Sequence, residues 1–185
     1  MKLRMALFAV LIVGIFAQAC QAVEPNQPRL GNPPDDLKIT YRWDTGSLPP
    51  KYHYSYEIVI EPDGSGQFIV QTGYAAKSEP TPWVSAFIIS PEEKSQLFQL
   101  LMTRNILRTE WAKGKLLIGG SSSEMQVTAA GKTYSVPNDA QMIEKDKSDL
   151  AEVYDFIKQL VPKSIWDKLA QSRHQIESAT DMPAQ

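Results

Sequence analysis

Apolar and polar residues alternate along the first half of the chain, and this pattern predicts β-strands. Residues 37–44 alternate in the manner of a half-buried strand, and residues 52–60 form the clearest strand of all. The turn-forming residues Pro62 to Gly66 then predict a hairpin, with residues 67–73 as its returning strand. Residues 83–89 are apolar on both faces, which predicts a fourth strand in the centre of the sheet.

Helical periodicity appears later in the chain. Ser90, Pro91 and Glu93 carry the signature of a capped helix start, and the helix is expected to end near Asn105. A short strand is expected at 116–118, and a second hairpin at 124–129 and 132–136. Apolar residues then recur at helical spacing from Ser148 to Pro162, and a last helix follows. The predicted fold class is α+β, an antiparallel sheet of two hairpin groups packed by a central helix and C-terminal helices.

The N-terminus has the three parts of a secretory signal, with basic residues, a short apolar run and small residues before Cys20. Residues 1–19 are therefore expected to be a signal peptide, and Cys20 to be the lipid attachment site of a lipoprotein. Plain secretion, with cleavage before Cys20 or before Val23, is the alternative. Residues 20–36 include a proline-rich spacer, residues 37–177 form one domain, and residues 178–185 form a disordered tail.

Composition narrows the possible functions. The formal charge of the chain is −2, which argues against a nucleic-acid partner. A single Cys excludes an intrachain disulfide, and with only two His the chain offers little for a metal site. No residue pattern indicates a cofactor, so neither a metal nor a cofactor is expected.

The string Asp44-Thr45-Gly46-Ser47 is the only one that looks catalytic. It resembles the active-site loop of aspartic proteases, in which two aspartates share a proton and activate water. The chain holds no second such string, so a dimer would have to supply the second carboxylate. The same residues are also ordinary turn formers. A hydrolase that uses Asp44 in a dimer is therefore the alternative function.

Aromatic residues are the other candidate for a functional surface. Trp43 and the stripe Tyr52, Tyr54 and Tyr56 could bind a sugar or an extended peptide, but Ile58 continues the same face and favours a buried core. Tyr54, Tyr56, Ile58 and Ile60 are expected on the buried face. His53, Ser55 and Glu57 are expected on the opposite face, as a solvated polar surface.

Residues 54–66, followed by the helix start at Ser90, resemble small exported bacterial domains of unknown function. That resemblance implies export and an α+β sheet and brings no activity. The sequence as a whole predicts a lipid-anchored envelope protein with a non-catalytic binding or scaffolding role. Its partners would be the membrane, through lipid at Cys20, and another envelope protein or a polysaccharide. In a Gram-negative bacterium Gln21 would favour the outer membrane; without lipidation the protein would be periplasmic or secreted.

Overall fold

A computed structural model describes residues 31–74, 82–115 and 119–180, with the side chains of the last helix described as far as His174. The signal peptide, Cys20 and the strand expected at 116–118 lie outside these residues. The predicted α+β class is confirmed by a six-stranded antiparallel sheet with three helices. The elements are β1 (Lys38–Asp44), β2 (Tyr54–Ile60), β3 (Ser65–Thr72), β4 (Trp83–Ile88), α1 (Pro91–Thr103), β5 (Ser122–Ala129), β6 (Lys132–Val136), α2 (Glu144–Leu160) and α3 (Lys163–Thr180).

The strand order is β4-β3-β2-β1-β5-β6, and every neighbouring pair is antiparallel. β1 to β4 follow one another as a meander, and the second hairpin, β5 and β6, pairs with the other side of β1. The expectation that β4 lies in the centre is wrong, because β4 forms an edge of the sheet. Its apolar residues on the second face, Val84 and Ile88, are exposed rather than covered by another layer.

The turns and helix starts follow local sequence chemistry. At the start of α1 the predicted capping box is present, since Glu93 N–H donates to Ser90 Oγ at 3.1 Å and Ser90 N–H donates to the Glu93 carboxylate at 2.7 Å. Asp36 accepts hydrogen bonds from the N–H groups of Ala130 and Gly131, which ties the end of the predicted spacer to the β5–β6 turn.

Two helix boundaries differ from the sequence prediction. α2 begins at Glu144, before the predicted Ser148, and its N-cap Ile143 makes no side-chain capping bond, so no capping signal marked that start. α3 continues to Thr180, into the stretch expected to be a disordered tail. No helix within 31–74, 82–115 and 119–180 is long and apolar enough to cross a membrane.

The helices pack on one face of the sheet through aromatic rings. Tyr41 of β1 meets Tyr154 of α2 at a centroid distance of 4.7 Å, and Phe68 of β3 meets Trp166 of α3 at 4.8 Å. The expected alternation is confirmed for Tyr56, Ile58 and Ile60, which are all buried on this face. Tyr54, which begins the same row, is half-buried.

Buried tyrosines make the fold less stable as the pH becomes alkaline. Burial raises the pKa of Tyr41, Tyr56 and Tyr154 above the ordinary tyrosine value. The unfolded chain releases these protons from about pH 10 upward, whereas the folded protein retains them. The free energy of unfolding is therefore at its full value below about pH 10 and decreases as the pH rises above it.

Tyr154→Phe tests this dependence, because the buried Tyr154 hydroxyl has no hydrogen-bond partner to lose among the residues that the structure describes. Denaturant unfolding from about pH 8 to about pH 11 should show a shallower alkaline loss of stability in this variant than in the wild type. The exposed residue Tyr52 supplies the control, since Tyr52→Phe should leave the slope unchanged. Equal slopes in the wild type and in Tyr154→Phe would contradict the burial argument.

Candidate binding site on the open face of the sheet

The face of the sheet opposite the helices is polar where β1, β2 and β3 meet. The strand register places Asp44 opposite Ser55, and Ser55 opposite Gln71. Two residues before Asp44 on the same face, Arg42 lies opposite Glu57. Because directly paired residues project to the same side of a sheet, these side chains share the open face.

A cavity of about 520 Å³ opens at this place. Its polar wall includes Arg42, Asp44, Ser55, Glu57 and Gln71. Its apolar side is formed by Ile69, Tyr74 and Pro82. A concave site with an apolar side and a few convergent polar groups is the usual form of a ligand pocket.

His53 holds the closed end of this cavity together. Its Nδ1 lies 2.7 Å from the carbonyl oxygen of Gly73, and its Nε2 lies 3.1 Å from a carboxylate oxygen of Asp44. The ring of Tyr74 stacks on the imidazole at 3.8 Å between centroids. We call this arrangement the His53 clasp; it connects the end of β1, the start of β2 and the end of β3.

The sequence prediction of a solvated polar surface is wrong for His53 and Ser55. They lie on the face opposite Tyr54 and Tyr56, as expected, but the exposed fractions of His53 and Ser55 are only 6% and 7%. The chain segments beyond the strand ends cover this part of the sheet, which strand alternation alone does not reveal. Only Glu57 of the three residues is partly open to solvent.

The His53 clasp does not form a nucleophile–base pair. The Gly73 carbonyl can only accept a hydrogen bond, so Nδ1 is the donor there. Nε2 is directed to Asp44 and not to the hydroxyl of Ser55. A serine triad requires one imidazole nitrogen to face the nucleophile while the other faces the carboxylate. Both nitrogens are occupied otherwise, so the clasp shapes the cavity rather than activating a group within it.

The string Asp44-Thr45-Gly46-Ser47 has structural roles at its first three positions. Gly46 N–H donates to Asp44 Oδ1 at 2.6 Å, and Thr45 Oγ1 exchanges hydrogen bonds with the backbone of Tyr54. Gly46 has a φ of +78°, and a Cβ there would lie 2.0 Å from the carbonyl oxygen of Gly120. Aspartic proteases pair two carboxylates, whereas here the partner of Asp44 is His53.

Two polar side chains of the cavity are left without a protein partner. The hydroxyl of Ser55 makes no hydrogen bond to any residue that the structure describes, although the residue is almost completely buried. Arg42 is exposed and forms no ion pair within the same residues, even though Glu57 and Glu124 flank it on both neighbouring strands. Buried polar groups normally have partners, so the Ser55 hydroxyl is available to a ligand, and the exposed guanidinium of Arg42 is accessible to the same ligand.

Arg42 also joins this cavity to two smaller ones. Cavities of about 340 Å³ and about 200 Å³ lie towards β5, and Arg42 and Glu124 line both of them. We call the three cavities together the open-face groove. Residues of β3, β2, β1, β5 and β6 line it, and Arg42 borders all three cavities.

Of the aromatic residues predicted as a possible binding surface, only Tyr56 lines the cavity, and its ring packs against Phe68 and Trp166 beneath the helices. Tyr56 is buried, with Trp43 stacked on it at 5.1 Å, and Tyr54 packs against Trp43 at the same distance. Tyr52 is exposed. The aromatic ring of the cavity belongs to Tyr74, which sequence reasoning missed together with Arg42 and Gln71. The polar position of Arg42 in the alternation of β1 was the one available signal.

Within the described part of the chain, no group of three His, Cys, Asp or Glu residues is placed to hold a metal ion. Comparison with protein-family models and with curated proteins found no match to this chain. The geometry of the open-face groove and the N-terminal sequence are therefore the features that bear on function.

The bond between Asp44 and His53 can be measured by a double-mutant cycle. Asp44→Ala and His53→Ala should each destabilise the protein, and their effects should be coupled by about 1 kcal/mol because each removes the same interaction. Chemical unfolding of the wild type, the two single variants and the double variant gives this coupling energy.

Asp63 provides a matched control for the cycle. Like Asp44, it accepts a hydrogen bond from the N–H two residues later, at 2.9 Å, but within the described residues it has no histidine partner. Asp63→Ala and His53→Ala should therefore be additive. A cycle with Asp44 that is equally additive would show that the bond between Asp44 and His53 contributes no energy.

Proposed function

We propose that this protein is an exported, lipid-anchored component of the cell envelope that binds another envelope molecule in its open-face groove without a chemical step. The N-terminal sequence supports the location, and the groove supports the binding role. The proposed ligand is a segment of an envelope protein or a polysaccharide.

The location rests on Cys20 and its surroundings. A short apolar run with small residues before the only Cys is typical of a lipoprotein signal, and a proline-rich stretch follows it. Each buried CH₂ contributes about 0.8 kcal/mol, so two or three acyl chains would anchor the domain firmly. Intact mass and membrane partition, compared with Cys20→Ser, test the anchor. A wild-type protein that is unmodified and freely soluble would contradict it.

The binding role rests on polar groups that are positioned before any ligand arrives. The His53 clasp fixes the closed end of the groove through two hydrogen bonds and a stacked ring. Ser55 and Arg42 then present donors that have no partner among the described residues. A site whose side chains are already ordered loses little entropy on binding, which favours recognition.

The composition of the groove fits an extended polar ligand. Arg42, Glu57 and Gln71 offer hydrogen bonds along the strands, and Ile69 and Tyr74 offer an apolar strip beside them. A polysaccharide or a peptide in an extended conformation presents both polar groups and apolar surface along its length. The width of the groove, across five strands, suits a chain better than a compact small molecule.

Photo-crosslinking in the intact envelope tests the binding face. A photoreactive residue in place of Gln71, on the open face, should yield a discrete adduct with an envelope component. The same residue in place of the exposed Gln99, on α1, is the control and should not yield that adduct. Arg42→Glu should abolish the adduct from position 71, because it removes the central donor of the groove.

The matched control for the charge reversal is Lys115→Glu, at an exposed position outside the groove, which should leave the adduct unchanged. An adduct that forms equally from positions 71 and 99, or that survives Arg42→Glu, would overturn the proposed binding face. Absence of any adduct from position 71 in the native envelope would do the same.

A further inference from the structure

The free edge of β4 differs from the opposite edge of the sheet. β4 reads Trp-Val-Ser-Ala-Phe-Ile and contains neither charge nor proline, whereas β6 carries Lys132 and two exposed polar residues, Thr133 and Ser135. Edge strands usually carry lysine, proline or a bulge that prevents pairing with another chain. β4 has none of these protections.

β4 also carries the two most exposed large apolar side chains among the described residues. Val84 is 53% exposed and Ile88 is 83% exposed, and both project to the open face. Ala86 lies midway between them on the same face and is also exposed. This apolar strip has no cover within the part of the chain that the structure describes.

The backbone of the same residues is free to pair. Ile89 N–H donates to the carbonyl oxygen of Gly64 at 3.0 Å, and the antiparallel register continues this pattern through Phe87 and Ser85. Bonded and outward-facing residues alternate along an antiparallel strand. The N–H and C=O groups of Val84, Ala86 and Ile88 therefore point away from β3, towards the free edge.

We propose that a second copy of this protein pairs with the edge, β4 against β4 in antiparallel orientation, with a two-fold axis at Ala86. Val84 and Ile88 are each two residues from Ala86, so the axis places Val84 of one copy opposite Ile88 of the other, twice. Ala86 of one copy lies opposite Ala86 of the other. On the face covered by the helices, the large Phe87 of one copy lies opposite the small Ser85 of the other. Each strand donates three main-chain hydrogen bonds to its partner.

The exposed edge of β4 is complementary to a second copy of itself. A two-fold interface requires a surface that is complementary to itself, and the spacing of Val84 and Ile88 about Ala86 meets this requirement. The uncharged strand also offers no like-charge repulsion to its own copy. The paired sheets would extend the open face continuously across both copies, so the dimer adds to the proposed binding role and does not depend on it.

Disulfide trapping tests both the dimer and its register. Cys20 is the only cysteine, so the full chain with Cys20→Ser is free of thiols. Ala86→Cys in that background should form a covalent dimer under mild oxidation, because directly opposed residues in an antiparallel pair have Cα atoms about 5.5 Å apart. Ile88→Cys should not bridge to itself, since its copies would lie about four residues, or roughly 13 Å, apart.

Matched variants make the result specific. Thr133→Cys, on the β6 edge, should remain monomeric under the same conditions. Val84→Lys, added to Ala86→Cys, should lower the yield of covalent dimer about tenfold, because the axis introduces the lysine at two places. The same substitution at Ser135 should leave the yield unchanged.

A dimer through Ala86→Cys alone supports the proposal and its register. Equal trapping through Ile88→Cys or Thr133→Cys would indicate random collision or another pairing and would overturn it. A monomer throughout, at protein concentrations up to the millimolar range, would also overturn it and would leave the binding role of the open-face groove untouched.

Discussion

The packing of one sheet face against the helices determines which side of every strand faces water. Tyr41, Tyr56 and Phe68 lie beneath α2 and α3, in contact with Tyr154 and Trp166. Because side chains alternate strictly along a strand, fixing this face fixes the other one as well. A shift of one residue would move these large rings into water, so the register, and with it the open-face groove, follows from burial.

The open face is organised by a second, smaller set of interactions. His53 is buried at the end of the sheet, where it bonds to both Asp44 and the backbone of Gly73. This clasp explains why an apparently catalytic string forms a well-ordered turn, with Gly46 in the left-handed region and Asp44 engaged on two sides. The same clasp supports Tyr74 and so gives the groove a fixed wall.

Local pattern predicted much of the fold and little of the site. Alternation located β1 and β2, and the Ser90 capping box located α1, because these signals depend on neighbours in the sequence. β4 was wrongly predicted at the centre of the sheet because its residues are apolar on both faces. A central strand and an edge strand with one exposed apolar face can have the same residue composition, so the pattern does not distinguish them. The pairing of β1 with β5 joins residues about eighty positions apart, so no local signal brings Arg42 beside Glu124. The burial of His53 depends likewise on loops that close over the strand ends.

The measurement that tests the binding face most directly is carboxylate labelling of the intact protein, with carbodiimide and an amine, in its native envelope and after purification in detergent. Glu57 and Glu124 flank Arg42 in the open-face groove, whereas Glu92 and Glu144 are exposed on α1 and α2. If a ligand occupies the groove, labelling of Glu57 and Glu124 should be lower in the envelope than after purification, and labelling of Glu92 and Glu144 should be equal in both. Labelling of Glu57 and Glu124 that does not change between the two states would contradict the account.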